Sequence, residues 1–241
     1  MPTMPPDLRF PVEERIPVTS AGVRQVFDHH LHNSSKLVQQ IHNDGHEMPF
    51  VVEPKLTRRL VASPQGGTDE ERILLGKWNE LVTKGIARRI TDGSKGFYSP
   101  SFVIPKKARG EYRMISDLRK LNEHVIHKHF KIPGLPAALE NTRRNDWMLV
   151  LDVENGYFNV NIAKQHAKFF RFYCMGIEFE LLKLPMGFVE SMRAFRLWLQ
   201  PYLETVRTLC PSVNVFDYVD DVLCQLPRGR ATNARELAAR I

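Results

Sequence analysis

Near the C-terminal end of the chain, an acidic dipeptide lies between two apolar runs, which leaves few choices of local structure. The stretch reads Val213-Asn-Val-Phe-Asp-Tyr-Val-Asp-Asp-Val-Leu-Cys-Gln-Leu226, with Asp220 and Asp221 at its centre. β-Branched and aromatic residues favour strands, and Asp favours turns. The pattern predicts a β-hairpin with two carboxylates at its tip. An isolated Asp-Asp pair would need no explanation beyond a solvated turn.

A third carboxylate changes this interpretation. Asp152 follows the apolar run Trp147-Met-Leu-Val-Leu151, which has the composition of a strand. If that strand lies beside the hairpin, its terminal Asp comes within a few ångströms of Asp220 and Asp221. Carboxylates that close repel one another unless cations neutralise them. Two Mg²⁺ ions held by carboxylates are a common arrangement for phosphoryl transfer, so the pattern predicts a two-metal site.

The composition is typical of a globular protein, and its basic surplus suits a polyanionic partner. The 241 residues are enough for one large or two small domains, and 43% hydrophobic and 25% charged residues are typical of soluble proteins. The formal net charge is +7. From Pro105 to Lys131 there are eight Lys or Arg residues against three Asp or Glu, a surplus of five positive charges. Such a local surplus suits a nucleic-acid phosphate backbone.

Cysteine spacing and hydropathy bear on the compartment. Cys174, Cys210 and Cys224 are far apart and form no CxxC or Cys/His ligand pattern, which predicts free thiols and an intracellular, reducing location. No stretch approaches the ~20 apolar residues of a membrane span. The first residues lack the apolar core of a signal peptide. We therefore expect no membrane partner.

The N-terminal third contains several His residues and two predicted helices. The first is expected over 23–41, and a Thr68-Asp-Glu-Glu71 capping box predicts the start of another. His42 and His46 would share a helix face, as metal ligands do. The intervening Asn43-Asp44-Gly45 is a turn sequence, which argues against a metal site there.

The order and spacing of these residues resemble a reverse transcriptase of the retrotransposon type. Tyr218-Val-Asp-Asp221 resembles the catalytic hairpin of that family, and Leu151-Asp-Val-Glu-Asn-Gly-Tyr-Phe158 resembles its first catalytic strand. Leu184-Pro-Met-Gly-Phe188 resembles the segment between them. The resemblance extends over roughly residues 70–241.

The resemblance implies an α+β fold with reverse-transcriptase-like fingers and palm, in which helices pack on an antiparallel palm sheet. A thumb is expected to be absent, because the chain ends before that region of the family. Residues 1–70 are expected to be an N-terminal extension, and 71–241 the reverse transcriptase domain. The implied boundaries are fingers at about 71–126 and 160–184, and palm at about 127–159 and 185–241.

The activity implied by the resemblance is RNA-directed DNA polymerisation. Nucleotides would pass from deoxynucleoside triphosphates to a primer 3′-hydroxyl on an RNA or DNA template, by a two-metal-ion mechanism. The implied cofactor is Mg²⁺, as two ions, with Mn²⁺ as an alternative. The implied catalytic residues are Asp152, Asp220 and Asp221, and the implied metal-binding residues are these three together with Val153.

The resemblance also implies residues that bind the substrates. The implied nucleotide-binding residues are Lys106, Arg113, Tyr157, Met186 and Gly187, and the implied template-binding residues are Asp117 and Arg119. Fixed cations on the triphosphate would complement metals on the other side of the nucleotide. Tyr157 would lie beneath the sugar and exclude a ribose 2′-hydroxyl. The alternative for Tyr157 is an aromatic side chain that only packs in the core.

Two other functions remain open from the sequence. A truncated or repurposed retroelement fragment could bind nucleic acid without polymerase activity, since a polymerase must also hold its primer and template. A different metal-dependent phosphotransferase is the third hypothesis. The ordered series of Lys106, Arg113, Asp152, Gly187 and Asp220 argues against it. Oligomeric state does not follow from the sequence.

The localised basic surplus predicts electrostatic binding to a primer–template duplex. Affinity should fall steeply with added salt, because bound phosphates release counterions. Reversing the charge of Lys106 and Lys107 should flatten the log–log salt dependence, measured by fluorescence anisotropy with a labelled duplex. A flat dependence in the unaltered chain would contradict a groove that follows the phosphates.

Overall fold

The computed structural model describes residues 20–58, 67–107, 110–130, 140, 142–143 and 146–226. The chain divides into two compact units, each built from separate stretches. The described part of the first, here called the hairpin unit, comprises residues within 20–34, 140–154 and 199–226. The described part of the second, the main unit, lies within 35–130 and 155–198. The predicted N-terminal extension, 1–70, lies partly outside the described residues.

The hairpin unit contains an antiparallel sheet in which β4 (Trp147–Asp152) pairs with β8 (Asp221–Leu226) and β8 pairs with β7 (Asn214–Tyr218). The acidic stretch forms the predicted hairpin, and the apolar run before Asp152 forms the predicted neighbouring strand. Arg207 donates from Nη2 to the Val215 carbonyl at 3.0 Å, which links the last turns of helix α5 (Ser191–Leu209) to the sheet. The elements are α1 (Ser20–His32), β4 (Trp147–Asp152), the second half of α5 (Ser191–Leu209), β7 (Asn214–Tyr218) and β8 (Asp221–Leu226).

The main unit contains two small sheets. In one, β6 (Ile177–Leu181) lies between β1 (Ala87–Ile90) and β5 (Arg171–Cys174), and the other is the hairpin of β2 (Ser101–Pro105) and β3 (Tyr112–Ser116). Short 3-10 turns at Gly156–Asn159 and Lys164–Phe169 precede β5. The elements are α2 (Lys36–Asn43), α3 (Asp69–Thr83), β1 (Ala87–Ile90), β2 (Ser101–Pro105), β3 (Tyr112–Ser116), α4 (Arg119–Asn122), β5 (Arg171–Cys174), β6 (Ile177–Leu181) and the first half of α5. Helices and antiparallel strands together confirm the α+β class.

Aromatic packing forms the centre of the main unit. Trp78 on α3 is fully buried and lies 5.1 Å from the Phe179 ring and 4.8 Å from the Phe172 ring, centroid to centroid. The predicted capping box starts α3: Thr68 Oγ1 accepts the Glu71 amide, and the Glu71 carboxylate accepts the Thr68 amide. Helix α3 is thereby fixed on the β1-β6-β5 sheet.

A buried ion pair fixes the loop that precedes β2. Arg171 and Glu180 are 3% and 1% exposed, and their Nε and Oε2 atoms are 2.8 Å apart. Arg88 donates to the other carboxylate oxygen, Oε1. Arg171 also donates to the Ser94 carbonyl and hydroxyl oxygens. Because the carboxylate is satisfied on both sides, the cost of burying it is offset.

The N-terminal helical region departs from the single helix predicted over 23–41. The chain forms two helices, α1 and α2, because Ser35 caps α2 by accepting the Val38 amide on its hydroxyl oxygen. The predicted turn after α2 is present. His42 forms a 2.8 Å hydrogen bond from Nε2 to the Trp198 carbonyl oxygen, while His46 lies beyond the turn.

His46 is buried where this turn meets a distant part of the main unit. Its amide donates to the Asn161 carbonyl at 2.7 Å, and its carbonyl accepts from Ala163 at 3.0 Å. Gly45 has φ +89°, and a Cβ there would come within 2.8 Å of the Ala163 nitrogen. The His46 ring is 2% exposed, and neither ring nitrogen has a hydrogen-bond partner among the described residues.

Two further predictions concern thiols and membranes. Cys174, Cys210 and Cys224 are all buried, and none of them forms a disulfide bond, as the spacing predicts. Within the described part of the chain, no helix combines the length and the hydropathy that crossing a membrane requires.

The orphaned His46 ring predicts acid sensitivity. Burial, with Arg193, His166 and Lys128 adding unfavourable charge, lowers the pKa of His46 from 6.5 to about 4. The unfolded chain therefore binds a proton more tightly, so this contribution to stability is present above pH 6.5 and is lost as the pH falls toward 4. The loss is about 3 kcal/mol, at roughly 1.4 kcal/mol per pH unit. In His46→Phe, the loss of unfolding free energy between pH 6.5 and pH 4 should be smaller by about 3 kcal/mol than in the unaltered chain. Urea unfolding across this pH range measures it.

The exposed His127 provides a matched control. His127→Phe should keep the acid sensitivity of the unaltered chain. Identical pH dependence in both variants would contradict the assignment of the acid-sensitive group to His46.

Candidate active site

The strand register brings two of the predicted carboxylates face to face. In the β4–β8 pairing, Asp152 lies directly opposite Asp221, and Trp147 lies opposite Leu226 at the other end. Residues directly opposite each other in an antiparallel pair point to the same face, with Cα atoms about 4.5–5.5 Å apart. Both side chains are exposed. The sheet therefore ends in a pair of adjacent carboxylates.

The third carboxylate lies in the hairpin loop. Tyr218 pairs with Asp221, which leaves Val219 and Asp220 as a two-residue connection. The Val153 amide donates to the Asp220 carbonyl oxygen at 2.9 Å, so pairing with the β4 segment continues one residue beyond Asp152. Since the Val153 side chain has no donor or acceptor, only its carbonyl oxygen could serve as a ligand. Asp152, Val153, Asp220 and Asp221 thus lie together in the hairpin unit.

The loop adopts a strained backbone. Val219 has φ +59°, a region that β-branched residues rarely occupy. A positive φ at the first central residue is typical of the type II′ turn, whose twist matches a two-residue hairpin. The tight turn therefore holds Asp220 beside the end of β4 at a cost of about 1–3 kcal/mol.

The hairpin offers the kinds of oxygen atom that bind a divalent cation. Carboxylate and carbonyl oxygens are the ligands that Mg²⁺ prefers. Like charges directly opposite each other in a sheet are destabilising, and a cation would relieve that repulsion. Among the described residues, no group of three or more His, Cys, Asp or Glu side chains is arranged to enclose a metal ion. The fit therefore rests on donor chemistry and the register of the two strands.

The predicted phosphate-binding cations lie on the β2–β3 hairpin of the main unit. Lys106 follows β2 and contacts Glu111, with Nζ and Oε2 2.9 Å apart. This hydrogen bond lowers the pKa of Glu111. Arg113 is exposed on β3, opposite Ile104. Sequence reasoning missed Glu111 as the partner of Lys106; opposite charges flanking a predicted hairpin turn were the available signal.

The predicted template-binding pair is a local ion pair. Arg119 donates from Nε to Oδ1 of Asp117 at 2.9 Å and from Nη2 to Oδ2 at 2.6 Å. Hydrogen bonds to this guanidinium lower the pKa of Asp117 to about 2. Arg119 keeps 87% of its side chain exposed. The carboxylate therefore orients a guanidinium that is still available to a ligand.

The remaining predicted nucleotide-binding residues lie on two linked segments of the main unit. The Val160 amide donates to the Tyr157 carbonyl at 3.0 Å, and the Leu184 amide donates to the Val160 carbonyl at 2.9 Å. The Tyr157 ring lies edge-on to the Phe195 ring at 5.7 Å and is half-buried. Met186 is 71% exposed, and the next residue, Gly187, has φ +89°.

Asn122 is a residue of this region that the sequence did not single out. Its side chain hydrogen-bonds to the backbone at Gly187 and Val189, 65 and 67 residues further along the chain. A polar residue directly after the buried Leu121 was the only signal available.

Comparison with known families identifies the class of protein. The sequence model of the family described as reverse transcriptase (RNA-dependent DNA polymerase) matches residues 104–235, more than half of the chain. The chain therefore belongs to the reverse transcriptase family. The matched segment contains all of the predicted catalytic and substrate-binding residues.

Curated relatives are polyproteins of retroviruses and retrotransposons. The chain is 28% identical over 187 residues to the retrovirus-related Pol polyprotein from transposon gypsy of Drosophila melanogaster, covering 73% of this chain and 18% of the relative. It is 33% identical over 141 residues to the Gag-Pol polyprotein of Walleye dermal sarcoma virus, covering 58% and 8%. For the Gag-Pro-Pol polyprotein of Sheep pulmonary adenomatosis virus, identity is 28% over 180 residues, covering 67% and 10%. The chain thus spans less than a fifth of these relatives.

The strained hairpin predicts an unusual effect of glycine. Val219→Gly should raise the free energy of unfolding by about 1 kcal/mol, because glycine adopts a positive φ without steric cost. Val150→Gly is the matched control, since Val150 is an exposed valine in regular β4 structure. It should lower the same free energy by about 0.5–1 kcal/mol. Urea unfolding measures both, and a loss at Val219 equal to that at Val150 would contradict the strain.

Proposed function

We propose that this chain is the nucleotidyl-transfer core of an RNA-directed DNA polymerase. The observation that carries the proposal is the hairpin edge, where Asp152 lies opposite Asp221 and the Val153 amide binds the Asp220 carbonyl. Family membership supports the reaction class. The substrates are a primer on an RNA or DNA template and deoxynucleoside triphosphates. Buried cysteines that form no disulfide bond suit an intracellular location.

Two divalent ions, Mg²⁺ or Mn²⁺, would supply Lewis-acid activation of the primer 3′-oxygen and neutralise charge on the phosphates. Asp152 and Asp220 hold these ions in the proposal, with the Val153 carbonyl and Asp221 as supporting ligands. The Val153–Asp220 hydrogen bond fixes the spacing of these groups. The protein's contribution is thus a set of oxygen donors that strand pairing orients before the substrate arrives.

Cationic side chains bind the triphosphate in this proposal. Lys106 and Arg113 both lie on the β2–β3 hairpin, and charge-assisted hydrogen bonds to phosphate are among the strongest that a protein makes. Glu111 holds the Lys106 ammonium in the absence of substrate. A triphosphate would replace that carboxylate, which is a direct exchange of one anionic partner for another.

The sugar and the template have separate contacts in the proposal. Tyr157 rests on Phe195 and presents a partly exposed ring that would exclude a 2′-hydroxyl by steric contact. Met186 and Gly187 lie against the sugar or base. Asp117 orients Arg119 toward the template strand. Tyr157 and Arg119 are thus each oriented by a neighbouring side chain, Phe195 and Asp117 respectively.

The proposed subdomains follow the family. We propose fingers at about 71–126 and 160–184, and palm at about 127–159 and 185–241. The division of the chain into two compact units with alternating segments supports two discontinuous subdomains, although residues 155–159 and 185–198, which this assignment gives to the palm, belong to the main unit. In this assignment the hairpin and β4 belong to the palm.

Single-turnover incorporation tests the proposal. With the chain in excess over a primer–template duplex, weak binding of the duplex no longer limits the reaction. We expect addition of the one templated deoxynucleotide in Mg²⁺. Asp152→Asn and Asp220→Asn should each reduce the rate by a hundredfold or more, on the order of what loss of transition-state charge stabilisation costs.

Asp28→Asn provides the control, because Asp28 is an exposed carboxylate on α1. It should leave the rate unchanged. No incorporation by the unaltered chain when all duplex is bound would contradict the proposed activity. The same measurement would then favour a fragment that binds nucleic acid without catalysis.

A further inference from the structure

Asn122 links the end of α4 to the loop that carries Met186 and Gly187. Its Nδ2 donates to the Gly187 carbonyl oxygen at 2.9 Å, and its Oδ1 accepts from the Val189 amide at 3.0 Å. One amide side chain therefore satisfies two peptide groups two residues apart, using its donor for one and its acceptor for the other. No other polar residue type of the same size can form both bonds.

Helix α4, which carries Asn122, is fixed by burial of its apolar side and by backbone hydrogen bonds. Leu118 and Leu121 are 2% and 0% exposed, so the apolar side of this short helix is buried. The Asn122 amide donates to the Leu118 carbonyl at 2.8 Å, and the Asp117 amide donates to Pro100 at 2.9 Å. The backbone of Asn122 is therefore fixed, which limits the positions that its side-chain amide can adopt.

The loop is anchored on both sides of the two exposed residues. Ser191 Oγ donates to the Pro185 carbonyl at 2.6 Å on one side. On the other side Phe188 is 4% exposed, and its ring packs edge-on against Phe170 at 5.0 Å. Met186 is 71% exposed between these anchors. The fold therefore presents one apolar side chain and a bare glycine backbone from a fixed position.

We infer that Asn122 is a positioning residue that sets the affinity for the sugar and base of the incoming nucleotide by holding Met186 and Gly187. The inference rests on the proposed function. The exposed side chain of this loop, Met186, is an apolar thioether, which suits contact with a sugar or base rather than with a triphosphate. Asn122 should therefore affect recognition of the nucleoside part and leave recognition of the triphosphate unchanged.

The test compares two ligands that share the triphosphate. Asn122→Asp keeps the size and one acceptor oxygen but places a carboxylate against the Gly187 carbonyl. Calorimetric titration of the full chain with Mg²⁺-dTTP should give a Kd raised about fivefold or more, as expected for loss of one hydrogen bond. Titration with Mg²⁺-tripolyphosphate should give the Kd of the unaltered chain.

Asn33→Asp is the matched control. Asn33 also donates from Nδ2 to a backbone carbonyl, that of His29 at 2.8 Å, but lies at the end of α1. Both affinities should stay unchanged in this variant. If Asn122→Asp fails to fold, Asn122→Ser is the neutral alternative. It should also raise the Kd for Mg²⁺-dTTP and leave the Kd for Mg²⁺-tripolyphosphate unchanged.

A second readout needs no nucleotide. Val189 loses its acceptor in Asn122→Ser, so its amide hydrogen should exchange faster than in the unaltered chain. Unchanged exchange would overturn the inference, as would an unchanged dTTP affinity in a folded Asn122 variant. Equal losses for dTTP and tripolyphosphate would show a general structural role and would also overturn it. An unaltered chain that binds neither ligand would overturn the nucleotide site of the proposed function, and this inference with it.

Discussion

The pairing of β4 with β8 determines whether the acidic residues can act together. Asp152 faces Asp221 only in the observed register, because a slip of one residue would turn its carboxylate to the opposite face of the sheet. Along β8 the apolar side chains of Val222, Cys224 and Leu226 are buried on one face, and on the other face Gln225 is buried and donates from Nε2 to Asp146 Oδ2 at 2.7 Å, so side chains on both faces hold the register. Apolar burial worth about 25 cal/mol per Å² therefore decides the position of polar groups at the strand ends.

The tip of this hairpin is less stable than its stem. Two carboxylates lie opposite each other, and Val219 adopts a positive φ. Strain and like-charge repulsion persist in a fold only where the surrounding structure compensates for them, and they are typical of functional sites. In the main unit, polar side chains hold exposed loops in fixed positions. Asn122 holds the exposed Met186 loop, and the buried Arg171–Glu180 pair holds the loop at Ser94.

Much of the framework could be predicted from the sequence because it depends on local patterns. The hairpin, β4 and the capping box at Thr68 all follow from residue periodicity and turn chemistry over a few positions. The clamp at Asn122 could not be predicted, since its partners Gly187 and Val189 are more than 60 residues away in the chain. The burial of His46 likewise depends on a contact with distant backbone. Tertiary packing, which local patterns do not encode, supplies these details.

The central claim is that strand pairing organises the acidic residues into a divalent-cation site. Titration of the full chain with Mn²⁺, followed by electron paramagnetic resonance of the free ion, measures this directly. The account predicts saturable binding that Asp152→Asn and Asp221→Asn each weaken by tenfold or more, on the order of the loss of one carboxylate–cation contact, while Asp28→Asn has no effect. Mn²⁺ binding of equal strength in all four proteins, or no saturable binding in the unaltered chain, would contradict it.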